Sequence, residues 1–568
     1  MKFNYLTRIR IISICIFAFA LLLIGRLYIL QIVDNEKYID KADRQYSSAS
    51  QKIFSRGSIF FQNKDGTLVS AASLKSGYII AVNPEVLLDP ESAYEKLSAI
   101  MPVDHDEFMA KATKAKDPYE EIATKVDEDI GQKVSDLKIK GLEAYKERWR
   151  FYPGGDTAAH IIGILGFKGN DYAGRYGLER QFEPELERQD GAYVNFFAEI
   201  FSNIKKAASD SSESEADVVT TIEPTVQMYL QSILASTTAK WNSDSTGGII
   251  MNPMTGEIYA MDTYPTFDPN HPELEKNVSI FSNDLIENVR EMGSVIKPLT
   301  VAAGIDAGVI TSSSTYYDKG YVMINGKKVS NFDSKERGIV TIQDLLSQSL
   351  NVGAAHVESL LGNKRFADYM FAFGLGDKTG IDLPNEGRNL VSNLKSTVDI
   401  DYATASFGQG IAMTPLATIR ALAAIANGGV LVNPHVVKSL KYKIGTTSDT
   451  PIDNSKRVIK RETSEEVSRM MVYSVDNVLS GGTLKMPNYS VAAKTGTAQI
   501  AKPNGGGYYD DQFLHSFIGF FPAYNPKFII FLYTINPKGA RFGSETLTVP
   551  FMDTVKFLIN YYEVPPDR

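Results

Sequence analysis

Hydrophobic and polar positions divide this chain into three stretches of different pattern. The first is a nearly unbroken apolar run. Residues 11–25 carry no charge, and after Arg26 the apolar character resumes through residues 27–33. A run of that length predicts a helix long enough to cross a bilayer, with Arg26 snorkelling or facing a partner. Lys2, Arg8 and Arg10 precede it, and Asp34 and Glu36 follow it. The charge asymmetry puts residues 1–10 in the cytoplasm and the bulk of the chain outside. No small-residue cleavage site follows the run, so an anchor is favoured over a cleaved signal peptide.

Residues 34–216 mix charged helical patterns with short strand-like ones. Residues 55–60 read as a strand running into a turn at 63–66. Residues 104–140 are highly charged and predict mostly helix, and 151–155 a turn. The polar, serine-rich run 203–217 predicts an exposed linker or hairpin tip. From Asp217 the pattern changes again. A strand is expected at 218–222, then a helix opened by Pro224 and running over 225–239. Residues 247–252 and 257–262 predict a hairpin. Apolar helical segments follow, strands return near Lys494 and at 515–521 and 528–535, and 548–562 predicts an amphipathic C-terminal helix. The order sheet, helical insertion, sheet, helix is an α+β pattern.

Composition narrows the picture. The length of 568 residues allows about three or four domains of average size. A net charge of −8 without a basic stripe leaves no footprint for nucleic acid. The one cysteine, Cys15, allows no intramolecular disulfide or thiolate metal site. The six histidines are scattered without metal-ligand spacing.

The candidate chemistry lies in three motifs of the C-terminal half: Gly293-Ser-Val-Ile-Lys297, Ser349-Leu-Asn351 and Lys494-Thr-Gly-Thr497. Serine-x-x-lysine also occurs at Ser135, Ser202 and Ser392, and Lys-Thr-Gly also at Lys378, so context must choose. Ser294 opens an apolar segment with Pro298 near its first turn, which suits a buried helix start. Spacing of three puts Ser294 and Lys297 on one face, where a buried Lys297 can lose its proton and act as base. Ser135, Ser202 and Ser392 lie in polar stretches and read as surface serines.

Ser349 and Asn351 fall in a turn between two helices, where a hydroxyl can relay a proton and an amide can bind a substrate peptide group. Lys378 sits in a glycine-rich loop, whereas Lys494 sits among small and β-branched residues that suit an open strand edge for an extended substrate. Lys494 would attract a carboxylate and depress the pKa of Lys297, and the N–H groups of Thr497 and Ser294 would form an oxyanion hole. The conjunction of motifs in this order reads as a serine acyltransferase.

The chain resembles the class B penicillin-binding proteins, the monofunctional peptidoglycan transpeptidases. The resemblance runs over nearly the whole chain and includes Arg56-Gly-Ser-Ile59, residues 152–160, Gly177-Leu-Glu179, residues 217–224, Phe267-Asp-Pro-Asn270, Thr379-Gly-Ile-Asp-Leu-Pro384 and Gly408-Gln-Gly410. The Lys378 copy thereby falls in a family element away from the active site. The resemblance implies a transmembrane anchor (11–33), an elongated α+β pedestal of the dimerisation type (34–216) and a transpeptidase domain of the penicillin-recognising fold (217–568). That fold is an antiparallel sheet with helices on both faces plus an all-helical region.

The resemblance also implies that Ser294 attacks a D-Ala–D-Ala bond in a stem peptide and that an amine of a second stem resolves the acyl-enzyme. Lys297 would activate the serine with Ser349, Asn351 would hold the donor stem, and Lys494, Thr495, Gly496 and Thr497 would line the carboxylate and oxyanion side. It implies no cofactor or metal, β-lactams as inhibitors, and a SEDS-family glycan polymerase and division proteins as partners. Met292, Leu350 and Phe61 depart from the family pattern without removing a catalytic group. Alternatives are a lateral-elongation rather than septal enzyme, a β-lactam sensor or β-lactamase, and a non-catalytic scaffold. The long pedestal and the complete set of reactive side chains argue against the last two.

Overall fold

The computed structural model describes residues 17, 19, 56–115, 117–168, 171–188, 215–443, 445–503 and 506–568. The expected membrane span, apart from Phe17 and Phe19, and the serine-rich run up to residue 214 lie outside the described residues. Among the described residues no helix is long and apolar enough to cross a membrane.

The first strand, β1 (Ile59–Gln62), begins later than the expected 55–60 but runs into the expected turn at residues 63–66, after which comes the long β2 (Leu68–Val82). Within β2 the chain divides between two compact units. The smaller holds Leu74–Arg150 and Phe167–Tyr172. There β2 pairs antiparallel with β3 (Glu120–Asp127) through Tyr78 and Val126, and β4 (Leu142–Phe151) also pairs with β2. Helices α1 (Pro90–Ser98), α2 (His105–Ala112) and α3 (Glu128–Asp136) complete it. The first two begin where an aspartate caps a free N–H: Asp89 accepts from Ser92 and Asp104 from Glu107. Ile80, Val82, Leu97, Phe108 and Val134 form the core. The expectation of mostly helix over 104–140 holds at α2 and α3, and the strand β3 between them is the exception. Pairing with β2 supplies hydrogen-bond partners that outweigh the helical propensity of its charged residues.

The larger unit contains Gly57–Ser73, Phe151–Gly166 and Ala173–Arg568. It therefore takes in segments well before the compositional change at Asp217. The reason is pairing: Ile59 of β1 lies beside Val218 of β5 (Ala216–Thr220), which in turn pairs with β10 (Val437–Tyr442).

The main sheet of this unit is antiparallel, in the order β11 (Ala492–Ala501), β12 (Tyr508–Phe521), β13 (Phe528–Ile535), β6 (Ser245–Met251), β7 (Ile258–Tyr264). Alternation sorts its side chains. Phe517, Phe521, Ile530 and Leu532 cluster with α4 (Pro224–Trp241) and α10 (Gly543–Tyr562). Ile518, Phe520, Ile529 and Phe531 join the helical core on the other face. That core includes α5 (Lys297–Asp306), α6 (Ile342–Gln348), α7 (Asn351–Leu361), α8 (Pro415–Ala426, buried throughout) and α9 (Arg461–Asn477). A small hairpin, β8 (Tyr321–Ile324) and β9 (Lys327–Ser330), lies before α6 in the chain. Helix α10 begins five residues earlier than the sequence suggests, because Glu545 accepts from the N–H of Phe542 and caps the first turn.

Candidate active site

Ser294 lies in a tight 3-10 turn, Gly293–Ile296, that leads directly into α5. The turn is pinned by its neighbours. Gly293 has a φ of +65° and donates its N–H to the carbonyl of Gly408 at 3.1 Å. The carbonyl of Met292 accepts from the Ser516 hydroxyl at 3.0 Å, and the Glu291 carboxylate accepts from the N–H of Gly410 at 3.0 Å. Lys297, the first residue of α5, is fully buried. Its ammonium nitrogen Nζ is 2.9 Å from Ser294 Oγ, 3.1 Å from Ser349 Oγ and 2.6 Å from the Ser349 carbonyl.

Ser349 sits between α6 and α7 in the left-handed region, φ +58°. A non-glycine residue there costs about 1–2 kcal/mol. In return its carbonyl and hydroxyl both point at the lysines. Lys494, on the edge strand β11, donates to Ser349 Oγ at 2.9 Å and to the Thr495 carbonyl at 2.8 Å. The result is a chain of four polar groups, Ser294 Oγ, Lys297 Nζ, Ser349 Oγ and Lys494 Nζ.

Burial sets the charge state of this chain. Desolvation, and then the nearby charge of Lys494, pushes the Lys297 ammonium well below its ordinary range. Desolvation lowers Lys494 to about 7. The shift favours a neutral Lys297, whose lone pair faces the Ser294 hydroxyl, an arrangement suited to a base beside a nucleophile.

The third motif owes its sequence to close packing. A Cβ at Gly496 would lie 2.3 Å from Ser516 Oγ and 2.7 Å from the Met292 carbonyl, so only glycine lets β11 approach the Ser294 turn. A Cβ at Gly293 would likewise lie 2.8 Å from the Thr497 carbonyl, which shows the two backbones in contact. Thr497 Oγ1 accepts from the N–H of Gly543 at 3.0 Å and ties β11 to the start of α10. Thr495 and Thr497 are half-buried. Asn351 donates its side-chain amide to the Ser330 carbonyl at 2.9 Å, leaving its own carbonyl oxygen as the group free for a peptide N–H.

All eight candidate residues thus lie in one unit, and consecutive groups of the polar chain are within hydrogen-bond distance. Of the rival serines, Ser135 and Ser392 are exposed and Ser202 lies outside the described residues. Ser516, Asn331 and Gly543 escaped sequence reasoning because each reaches the site only through tertiary contact, and Glu291, though close to the Ser294 motif, because its bond to Gly410 is tertiary. Gly408 and Gly410 were visible as a Gly-x-Gly pair, though without an assigned role.

Comparison with known proteins gives two family matches. Residues 246–554 match the penicillin-binding protein transpeptidase domain, and residues 54–198 match the penicillin-binding protein dimerisation domain. Stage V sporulation protein D of Bacillus subtilis is 29% identical over 568 residues, covering 97% of this chain and 85% of that protein. A peptidoglycan D,D-transpeptidase FtsI of Buchnera aphidicola is 25% identical, covering 98% and 96%. Penicillin-binding protein 3 of Mycobacterium tuberculosis in complex with aztreonam shares the fold with a TM-score of 0.69 at 24% identity, covering 90% of this chain and 97% of that one.

Proposed function

This chain belongs to the penicillin-binding protein transpeptidase family, and on that premise we propose how its residues divide the work. It is a peptidoglycan D,D-transpeptidase, a penicillin-sensitive serine acyltransferase that cross-links stem peptides. Ser294 Oγ attacks the carbonyl of the D-Ala–D-Ala bond while its proton passes to neutral Lys297. The C–N bond then breaks, and the leaving D-Ala amine takes a proton delivered from Lys297 through Ser349 Oγ. Lys494, with Thr495, receives the terminal carboxylate, and Gly496 lets that strand lie against the nucleophile. The backbone N–H groups of Ser294 and Thr497 hold the oxyanion. Asn351 accepts from a peptide N–H of the donor stem. An amine of a neighbouring stem then attacks the acyl-enzyme by the reverse proton path and closes the cross-link.

The observation that carries this assignment is the 2.9 Å approach of fully buried Lys297 to Ser294 Oγ. Its test is intact-protein mass spectrometry after incubation with penicillin. The native chain is expected to gain a stable adduct, and a Ser294→Ala version none. An adduct on Ser294→Ala, or none on the folded native chain, overturns the assignment. An adduct lost within seconds would identify a hydrolase.

The setting of the enzyme is part of the same proposal. Residues 11–33 anchor it, with residues 1–10 cytoplasmic, a pedestal within 34–216 and the catalytic domain outside the membrane. It works at the division septum beside division proteins and a SEDS-family glycan polymerase, which Arg26 contacts. Relatives named FtsI support the septal reading. Replacing Arg26 with leucine is expected to weaken co-purification with the polymerase, and unchanged binding removes that contact.

A further inference from the structure

Behind the Ser349 turn lies a buried polar pair that the reaction does not use. Asp318, fully buried at the end of the strand Thr315–Asp318, faces Asn331, which is 3% exposed. The Asn331 amide donates to both Asp318 oxygens, at 2.9 and 2.8 Å. Asp318 Oδ1 also accepts from the N–H of Gly320 at 2.7 Å. A carboxylate only accepts, so the orientation of the Asn331 amide is determined and its oxygen must face away from Asp318. That oxygen accepts from the N–H of Val352, in the first turn of α7, at 3.1 Å. One residue earlier in each segment, Asn351 donates to the Ser330 carbonyl.

These two adjacent bonds tie the start of α7 to the end of β9, three residues or fewer from Ser349. Ser349 occupies a left-handed conformation that a serine does not favour and that its surroundings must impose. Resting on the acyl-serine reading above, we propose that Asn331, oriented by Asp318, is a positioning residue for the transpeptidase reaction: it holds the turn that sets Ser349 Oγ between Lys297 and Lys494.

The consequence reaches the base. Desolvation favours the neutral form of Lys297, with Ser294 and Ser349 facing it from their turns and Lys494 the charged group facing it from β11. A relaxed Ser349 turn admits water, stabilises the ammonium and raises the pH at which Lys297 becomes a base.

Two substitutions test this by exchange. Asn331→Asp alone sets two carboxylates against each other. Adding Asp318→Asn rebuilds the network with its polarity reversed. The carboxylate introduced at position 331 would accept from Val352 and from the amide introduced at position 318, whose oxygen accepts from Gly320. The rate of penicillin acylation, followed by mass spectrometry across pH, is measured for native, single and double variants, with the final adduct giving the active fraction. The single variant is expected to acylate up to about a hundredfold more slowly, with the acid limb of its profile moved to higher pH. The double variant is expected to recover both. An unchanged rate and limb in the single variant overturn the proposal. So does a slower rate with an unmoved limb, which marks a merely structural residue, and so does a double variant that fails to recover folded protein or rate. Acylation of the native chain is read in parallel, so its absence would indict the acyl-serine reading instead.

Discussion

The chain carries Lys-Thr-Gly twice, and the two copies differ in every physical respect. Lys494 is buried on an edge strand, donates to Ser349 and the Thr495 carbonyl, and is lowered to about 7 by desolvation. Lys378 is exposed. In the first copy Gly496 is required by space, since a Cβ would strike Ser516 and Met292. In the second Gly380 is required by conformation: φ is +77°, while a Cβ there meets nothing within 4 Å. The Thr379 and Gly380 N–H groups are both taken by the Glu386 carboxylate, which closes a loop. A nearby carboxylate, Asp382, accepts from Val436 and Val437 at 2.8 and 2.7 Å and fastens that loop to a strand. Identical tripeptides thus stand in a buried polar chain and in a structural clasp, and the environment alone separates them.

The largest effect should come from the lysines. Lys494→Met is expected to slow acylation by penicillin about a thousandfold, the loss that follows removal of one partner of a buried charge contact. Lys378→Met should leave the rate within about twofold, as surface substitutions do. Comparable losses in both variants would break the comparison.

Next come the glycines. Gly496→Ala must push β11 away from the nucleophile's turn, so it should lose about a hundredfold in acylation rate and about 3 kcal/mol in stability. Denaturant titration beside the acylation assay measures both. A Gly496→Ala protein that reacts normally would show that the contact between β11 and the turn does not matter.

The pH dependence sharpens the electrostatic half of the contrast. On the proposed assignment Lys494 is cationic when it receives a carboxylate, and desolvation lowers it to about 7. The second-order acylation rate reports the free enzyme. It should therefore fall above that pH, about tenfold per unit at the limit, with no matching limb from Lys378. Stability has the opposite slope. The unfolded chain holds the Lys494 proton up to about 10.5 while the folded chain releases it near 7, so between those values unfolding takes up a proton and stability rises with pH. The stability of the native chain relative to Lys494→Met should rise over that window. A flat difference would mean that the burial of Lys494 does not perturb it.

The smallest effect is expected at the second glycine. Gly380→Ala should cost about 1 kcal/mol through its left-handed conformation, with acylation unchanged.

Much of the fold was legible before the structure. The strand at 528–535, the hairpin around residues 253–256 and the helix opened by Pro224 follow from period and cap, because local backbone preference and burial agree there. Where they disagree, tertiary pairing decided. Residues 120–127 read as helix and became β3 because β2 offered a partner. The order of the motifs made Ser294, Lys297, Ser349 and Lys494 candidates, and the choice of Lys494 over Lys378 rested on the small residues around it.

The sequence by itself determined the candidates: a serine, two lysines, a second serine and an amide. Those are properties of side chains and of local backbone. Only the tertiary structure decided that 2.9 Å separate Ser294 from Lys297, that both lysines meet at Ser349, and that Asp318 and Asn331 stand behind that turn. The physical reason is that a lysine's charge depends on the water it loses. That loss is set by segments up to 200 residues apart in the chain packing around one point.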